Sequence, residues 1–228
     1  MGTRRELLMM APAAALAAFA VPDWRNALLR KGQTLTDAAA QRFHSSRLAP
    51  QFPRSALTDA GQFPLNSYLT DDPGIDLAKW TLKVEGAVKH PGEYSLAQLQ
   101  ALPKRQQITR HICIEGWAVI GSFGGVSMGR FLDIVGVQPD ARFVEIECED
   151  DYYESIDIAA ARHPQTLLCY EMYGLPLTAG HGAPLRLQMP TKLGYKQAKY
   201  VNKLRVTNIL SPKRGYWVDQ GYPWYGGI

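Results

Sequence analysis

Cysteine is scarce. The chain has 228 residues and three cysteines, Cys113, Cys148 and Cys169. They lie too far apart for any CxxC pair, which excludes a zinc ribbon, a thioredoxin-type motif and a CxxCH haem attachment. An odd count also argues against a disulfide framework and leaves at least one thiol over. Long apolar runs are missing beyond the N-terminus, and the mean hydropathy is −0.20. A polytopic membrane protein is therefore excluded. Charge of one sign is not concentrated either. Twenty-five Lys and Arg face 21 Asp and Glu, for a net charge of +4. The cations form no run, so nucleic acid is not the expected partner. No GxGxxG follows a strand, no GxxxxGK[ST] is present, and no internal repeat is visible, so nucleotide binding by those routes is unsupported. With 46% hydrophobic residues, the chain has ample material for a core and is not disordered.

The N-terminus reads as an address. Arg4-Arg5 precedes an apolar stretch from Leu7 to Ala20, and Ala18-Phe19-Ala20 has the small-x-small form of a cleavage site. That is a signal peptide and not a spanning helix. Thr3-Arg4-Arg5-Glu6-Leu7-Leu8 further suits a twin-arginine signal, the route of proteins exported after folding to the periplasm. Residues 21–65, with Pro22, Pro50, Pro53 and Pro64, read as an arm carrying one helix from Leu35 to Phe43.

The pattern sharpens from Trp80. Trp80, Leu82 and Val84 alternate with polar residues as in a half-buried strand. Ser95 can cap a short helix bearing Leu96, Leu99 and Leu102, and Pro103 stops it. Ile108–Ile114 predicts a strand ending at the Glu115-Gly116 turn. Ser127 can cap a helix with Met128, Phe131, Leu132 and Val135 on one face. Further strands are expected around Phe143–Cys148, Leu167–Met172, Leu185–Met189 and Leu204–Asn208. Strands dominate and βαβ alternation is missing, so the fold class is α+β, β-rich, with short scattered helices rather than a doubly wound sheet.

Chemistry could sit in three clusters. In Arg110-His111-Ile112-Cys113-Ile114-Glu115-Gly116-Trp117, Cys113 stands late in a strand, beside a turn, where a side chain can face a cleft. Cationic neighbours would favour its thiolate, the form that binds metal or attacks. His181-Gly182-Ala183-Pro184-Leu185-Arg186 and Lys192–Tyr200 supply a His, an Arg and three Lys among glycines, which would suit a phosphate or another polyanion. On these residues alone, three readings stay open. They are a redox metal enzyme, a binding module for an anion, and a cysteine hydrolase using His111 or His181 as its base.

Taken in order, the clusters resemble the sulfite oxidase family of molybdopterin enzymes, over about Asn66 to Asn208. Within it the closer likeness is to the periplasmic methionine-sulfoxide reductase catalytic subunits. Cys113-Ile114-Glu115-Gly116-Trp117 is similar to the segment of those reductases whose cysteine binds molybdenum. Tyr170-Glu171-Met172-Tyr173-Gly174-Leu175-Pro176-Leu177 resembles the Tyr-Glu-Met-Asn-Gly-x-Pro-Leu stretch of sulfite oxidases. His181-Gly182-x-Pro184-x-Arg186 matches a family motif, and Gly194–Lys199 follows in place.

The resemblance implies a sulfite-oxidase-type molybdopterin-binding fold over residues 66–210, followed by an aromatic tail over 211–228. It implies molybdenum held by one molybdopterin, with Cys113 as the metal's protein ligand. Arg186, Lys196 and Lys199 would anchor the cofactor's phosphate, and His181 would bond the pterin. Asn66, Leu69, Thr70, Cys148 and Gln197 would stand near the cofactor, and Tyr152 would donate to the oxo group or substrate oxygen as a catalytic residue.

The activity implied is transfer of an oxygen atom to or from a small oxo donor or acceptor, reducing an S-oxide or N-oxide. Electrons would come from a membrane haem b protein or a cytochrome c, since the chain carries no haem or flavin motif. Sulfite oxidases follow the cysteine with Ala-Gly-Asn-Arg, and here Ile114-Glu115-Gly116-Trp117 offers an acid and an indole where an anion pocket wants positive charge, which argues against sulfite as substrate. The aromatic tail, Gly215–Ile228, is expected to lid the pocket or meet the electron partner.

Overall fold

The computed structural model describes residues 23–44 and 46–228, so the signal peptide expected over residues 1–20 lies outside the described residues. The chain divides into two compact units, 1–39 and 40–228. The helix expected at Leu35–Phe43 is longer, α1 at Asp23–His44. Among the described residues no helix is long and apolar enough to cross a membrane.

The second unit is built on two five-stranded sheets. The first contains β1 (Thr81–Gly86), β2 (Gly92–Ser95), β5 (Phe143–Cys148), β6 (Tyr153–Asp157) and β10 (Val201–Thr207), in the order β2-β1-β10-β5-β6. Only β1 and β10 pair parallel; the rest of this sheet is antiparallel. The second sheet contains β3 (Lys104–Ile112), β4 (Ala118–Ser127), β7 (Leu167–Met172), β8 (Leu175–Pro176) and β9 (Arg186–Gln188), ordered β3-β4-β7-β8 with β9 also on β7. This is the β-rich α+β fold expected.

Local chemistry explains the elements. In β1 the alternation buries Leu82 and Val84 and leaves Lys83 exposed, the period-2 signature of a sheet with one solvated face. Ser95 heads α2 (Leu96–Gln100) with a full capping box, accepting from the Gln98 N–H while Gln98 reaches back to the Ser95 N–H. The helices α3 (Met128–Ile134) and α4 (Ile158–Arg162) pack their small and apolar faces into the main core. That core, with Leu82, Phe131, Ile146, Leu187, Tyr200 and Leu204 all nearly inaccessible to solvent, supports the first sheet. A smaller cluster around Phe63, Phe123 and Cys169 supports the second.

The expected strand at Ile108–Ile114 begins and ends earlier, because β3 pairs with β4 along its whole length, from Lys104↔Val126 to Ile112↔Ala118. Cys113 therefore leaves the strand and opens the connecting turn. Residues 47–63 run beside this sheet: Phe52 donates to the Ile108 carbonyl at 3.0 Å and Thr58 to the Ile120 carbonyl at 3.0 Å.

Candidate active site

A cavity of about 430 Å³ opens in the second unit, within the range of small-molecule and cofactor sites. Its lining comes from residues 63–68, the end of β3 and the β3–β4 turn, Asp150 and Tyr152, the segments around His181, Arg186 and Gly194, and Trp217 and Tyr222 near the C-terminus.

The turn presents Cys113. Its backbone N–H donates to the Trp117 carbonyl at 2.9 Å, and Gly116, at φ +94°, donates back to the Cys113 carbonyl. Only a residue at ease in the left-handed region closes such a turn without strain. Cys113 Sγ lies 3.8 Å from Asn66 Nδ2 and 3.7 Å from Glu115 Oε2. Glu115 in turn accepts from Asn66 at 2.7 Å and from Trp117 Nε1 at 3.0 Å. Those two donors hold its carboxyl below the ordinary carboxylate range.

The neighbours of Cys113 are thus an amide and an acid rather than the cations expected. Burial, followed by the Glu115 carboxylate, pushes its thiol up. The arrangement opposes a thiolate–imidazolium pair, and with it the hydrolase reading. A thiol in this state suits a metal, which removes the proton on binding.

Arg186 faces the cavity from β9. It is only 4% exposed, and its Nη1 donates to the His181 carbonyl at 3.1 Å. Among the described residues its Nε has no partner, and no carboxylate stands within ion-pair distance. Burial therefore pulls its pKa down.

Lys199 also lines the cavity, with Nζ donating to Ser67 Oγ at 2.8 Å and to the Gly180 carbonyl at 2.9 Å. Burial, then the Arg186 charge, lowers its pKa to about 8. The Lys199 stem passes so close to Gly182 that a Cβ there would lie 2.8 Å from the Lys199 Cβ, and Gly182 sits at φ +96°. Space and backbone conformation both demand glycine at that point.

His181 and His111 complete this wall. Burial and the Arg186 charge lower them to about 4 and about 3, so both rings are neutral near pH 7. Phe63 packs between them, with centroids 5.3 Å from His181 and 5.5 Å from His111. Trp117 stacks on His111 at 5.7 Å. A Cβ on Gly194 would stand 3.0 Å from His111 Nε2, so the bare backbone there admits the imidazole. His111 Nδ1, like Arg186 Nε, is buried without a partner.

The cavity therefore gathers Cys113, Asn66, His181, Arg186, Gln197, Lys199 and Tyr152 from the expected residues. Four others are placed elsewhere. Lys196 is fully buried, with Nζ donating to Glu154 at 2.5 Å and to the Ser155 carbonyl at 2.8 Å. That pair lies off the cavity wall, because the 3-10 turn Gly194–Lys196 directs the side chain into the core. Cys148 packs in the main core, since it takes an inward position on β5. Leu69 is exposed, and Thr70 bonds the Asp72 backbone in a local turn. Tyr152 reaches the cavity, but its hydroxyl donates to the Tyr195 carbonyl at 2.6 Å, so its single proton is already committed within the protein.

His111 lines the cavity too, but as a neutral ring under Trp117 and not as the base that its spacing of two from Cys113 suggests, since β3 ends at Ile112 before Cys113.

Comparison with known proteins gives the family. Residues 69–217 match the oxidoreductase molybdopterin-binding domain family. The chain belongs to that family. It is 48% identical over 187 residues to YedZ1 of Azospira oryzae, a protein assigned as a protein-methionine-sulfoxide reductase subunit, covering 81% of this chain and 70% of that protein. It is 33% identical over 147 residues to the protein-methionine-sulfoxide reductase catalytic subunit MsrP of Xanthomonas axonopodis, covering 58% of this chain but only 46% of that protein. Among solved structures, the sulfane dehydrogenase SoxCD of Paracoccus pantotrophus shares the fold, with a TM-score of 0.56 at 19% identity, over 59% of this chain and 40% of that one. The chain is a molybdenum-dependent oxidoreductase of the molybdopterin-binding class.

The cavity fits such a group. Among the described residues no cluster of three His, Cys, Asp or Glu could hold a metal alone, so a metal at Cys113 has to arrive on ligands of its own. A molybdopterin brings a dithiolene, which matches a lone soft sulfur, and a phosphate, which matches the unpaired Arg186 and Lys199. The unpartnered Arg186 Nε and His111 Nδ1 offer hydrogen bonds to the same ligand.

Proposed function

We propose that this chain reduces an S-oxide, or in second place an N-oxide, at a molybdenum centre held by Cys113. The observation that carries the proposal is a buried guanidinium without a carboxylate, Arg186, sharing one cavity with a lone thiol, Cys113. A buried unpaired cation is costly unless a ligand supplies the anion.

When bound, the cofactor supplies a metal that exchanges one oxygen atom and two electrons with its substrate. The chain's own residues supply position and charge. Cys113 gives one thiolate ligand. Arg186 and Lys199 neutralise the phosphate, and Gln197, His111 and His181 offer uncharged hydrogen bonds around the pterin. Glu115, ionised and tethered by Asn66 and Trp117, holds the turn that carries Cys113. Its negative charge beside the thiol repels an anion such as sulfite and tolerates a neutral S-oxide. The overall change consumes two electrons and two protons and yields a thioether and water.

The names of the relatives YedZ1 and MsrP support the S-oxide reading. With no haem or flavin motif in the chain, the electrons come from a haem partner, either a membrane haem b protein or a cytochrome c. The Arg4-Arg5 signal supports export to the periplasm with the cofactor already in place.

Metal analysis tests the proposal. Natively expressed protein should carry close to one molybdenum per chain, and Cys113→Ala should lose the oxo-transfer activity completely. In a panel of methionine sulfoxide, trimethylamine N-oxide and sulfite, methionine sulfoxide should be turned over fastest. Metal-free protein that still binds phosphate would instead establish a binding module.

A further inference from the structure

One wall of the cavity is left unexplained by the anion-binding side chains. Residues 215–228 return across the 3-10 turn Gly194–Lys196 as a strap and are pinned there. The Tyr195 hydroxyl donates to the Pro223 carbonyl at 2.7 Å and Leu193 N–H to the Gly226 carbonyl at 2.9 Å. Lys192 Nζ donates to the Tyr225 carbonyl at 2.8 Å, and Trp224 Nε1 to Ser155 Oγ at 2.8 Å. The short helix α5 (Tyr216–Asp219) begins the strap, and the Tyr153 hydroxyl ties its Asp219 at 2.8 Å.

This anchoring sets two rings on the cavity wall. Trp217 and Tyr222 meet edge to face with centroids 5.5 Å apart, and Tyr222 packs 5.6 Å from Tyr195. Neither belongs to a core cluster. Trp217 keeps 37% of its surface exposed although its backbone is held firmly. Leu65 and Ile114 line the same cavity and are also exposed. An aromatic pair fixed in place, left out of the core and facing a cavity is preorganised to receive apolar matter. The same lining also carries the cations Arg186 and Lys199, so it offers surface for two kinds of ligand chemistry.

We propose that Trp217 and Tyr222, with Ile114 and Leu65, form an apolar collar that selects substrates by the carbon groups on the sulfoxide sulfur. Sulfoxides carrying an aromatic or long alkyl substituent are favoured over dimethyl sulfoxide. The inference rests on the S-oxide reading above. Its physical basis is the contact of sulfur and its adjoining CH groups with aromatic rings, together with burial of the substituent's apolar area. One added methylene in an apolar pocket changes discrimination by roughly 10-fold or more, and a phenyl group adds more carbon than that.

The experiment uses molybdenum-loaded protein and compares kcat/KM for methyl phenyl sulfoxide with that for dimethyl sulfoxide. Wild type should prefer the aryl substrate by at least ~10-fold. Trp217→Ala and Tyr222→Ala should each shrink that ratio several-fold, chiefly through KM, and Trp217→Phe should restore most of it. Calorimetric binding of methyl phenyl sulfone, which has no sulfoxide to reduce, supplies a readout independent of turnover; its affinity should fall in parallel. Molybdenum content is measured for each variant, and a ratio that follows metal loss instead of the ring would overturn the collar. So would an unchanged ratio and unchanged sulfone affinity in both alanine variants. Wild type that reduces no sulfoxide but binds the sulfone through Trp217 would sink the S-oxide reading and leave the collar standing.

Discussion

Replacing Arg186 by Met should stabilise the cofactor-free protein while abolishing its capacity to hold the cofactor. The side chain is 4% exposed, and among the described residues its Nε has no hydrogen-bond partner and no carboxylate compensates its charge. Replacing a buried ion pair by apolar residues of similar volume is neutral or gains about 1–4 kcal/mol in other proteins, and a lone buried guanidinium lacks even the attraction of a partner. Against that stands the lost bond from Nη1 to the His181 carbonyl, worth ~1 kcal/mol. The net expectation is a gain of ~2 kcal/mol, which for a chain of this size raises Tm by roughly 4–8 °C. Scanning calorimetry of cofactor-free wild type and Arg186→Met measures the shift, and molybdenum content of both proteins from native expression measures the loss. The order should invert for the loaded state, because ligand binding stabilises only the wild type. A cofactor-free variant that melts below wild type, or one that copurifies with full molybdenum, would refute the assignment of Arg186 as an anion site held at the expense of stability.

Other expectations follow from the charges nearby. Lys196→Met should cost about 3–5 kcal/mol in urea unfolding, because it strands the buried Glu154 carboxylate; a Lys196→Met/Glu154→Leu double variant should recover most of that loss, an outcome that a cofactor-anchoring role for Lys196 does not predict. Lys199, whose folded pKa of about 8 lies below its ordinary value of 10.5, is charged in both folded and unfolded states below pH ~8. Between about 8 and 10.5 the unfolded chain holds more protons, so the stability of the cofactor-free protein contributed by this group rises with pH across that window. Anion affinity should move the opposite way. Calorimetric binding of pyrophosphate to cofactor-free protein should weaken between about pH 7 and pH 9.5, and constant affinity would exclude Lys199 from the anion site. The groups that set this titration are Arg186, Asp71 and Asp150.

Local order in the sequence was sufficient for several elements. Ser95 with Gln98, the alternation around Leu82, and the run Leu167–Met172 each encode their structure within a few residues. The longest strand, β4, left no such mark. Its Gly121, Gly124 and Gly125 weaken a strand pattern, yet a Cβ on Gly125 would lie 2.2 Å from the Leu168 carbonyl, so close approach of β7 is what demands the glycine. That requirement belongs to a neighbour more than forty residues away along the chain and has no local signature.

The same division runs through the site. Residue order alone pointed to a lone thiol, a His-Gly-x-Pro-x-Arg segment and a lysine-rich stretch, because motif spacing is a property of the chain. Which of the lysines faces the ligand was decided by tertiary packing. Lys196 and Lys199 stand three residues apart, and one turn of backbone sends the first to Glu154 in the core and the second to the cavity. The charge states were decided there too: burial and the Arg186 charge hold His111 and His181 neutral well below pH 7, and only the fold brings Asn66, 47 residues away, against Cys113 and Glu115. Desolvation and Coulomb interaction depend on distance in space, and sequence records distance along the chain.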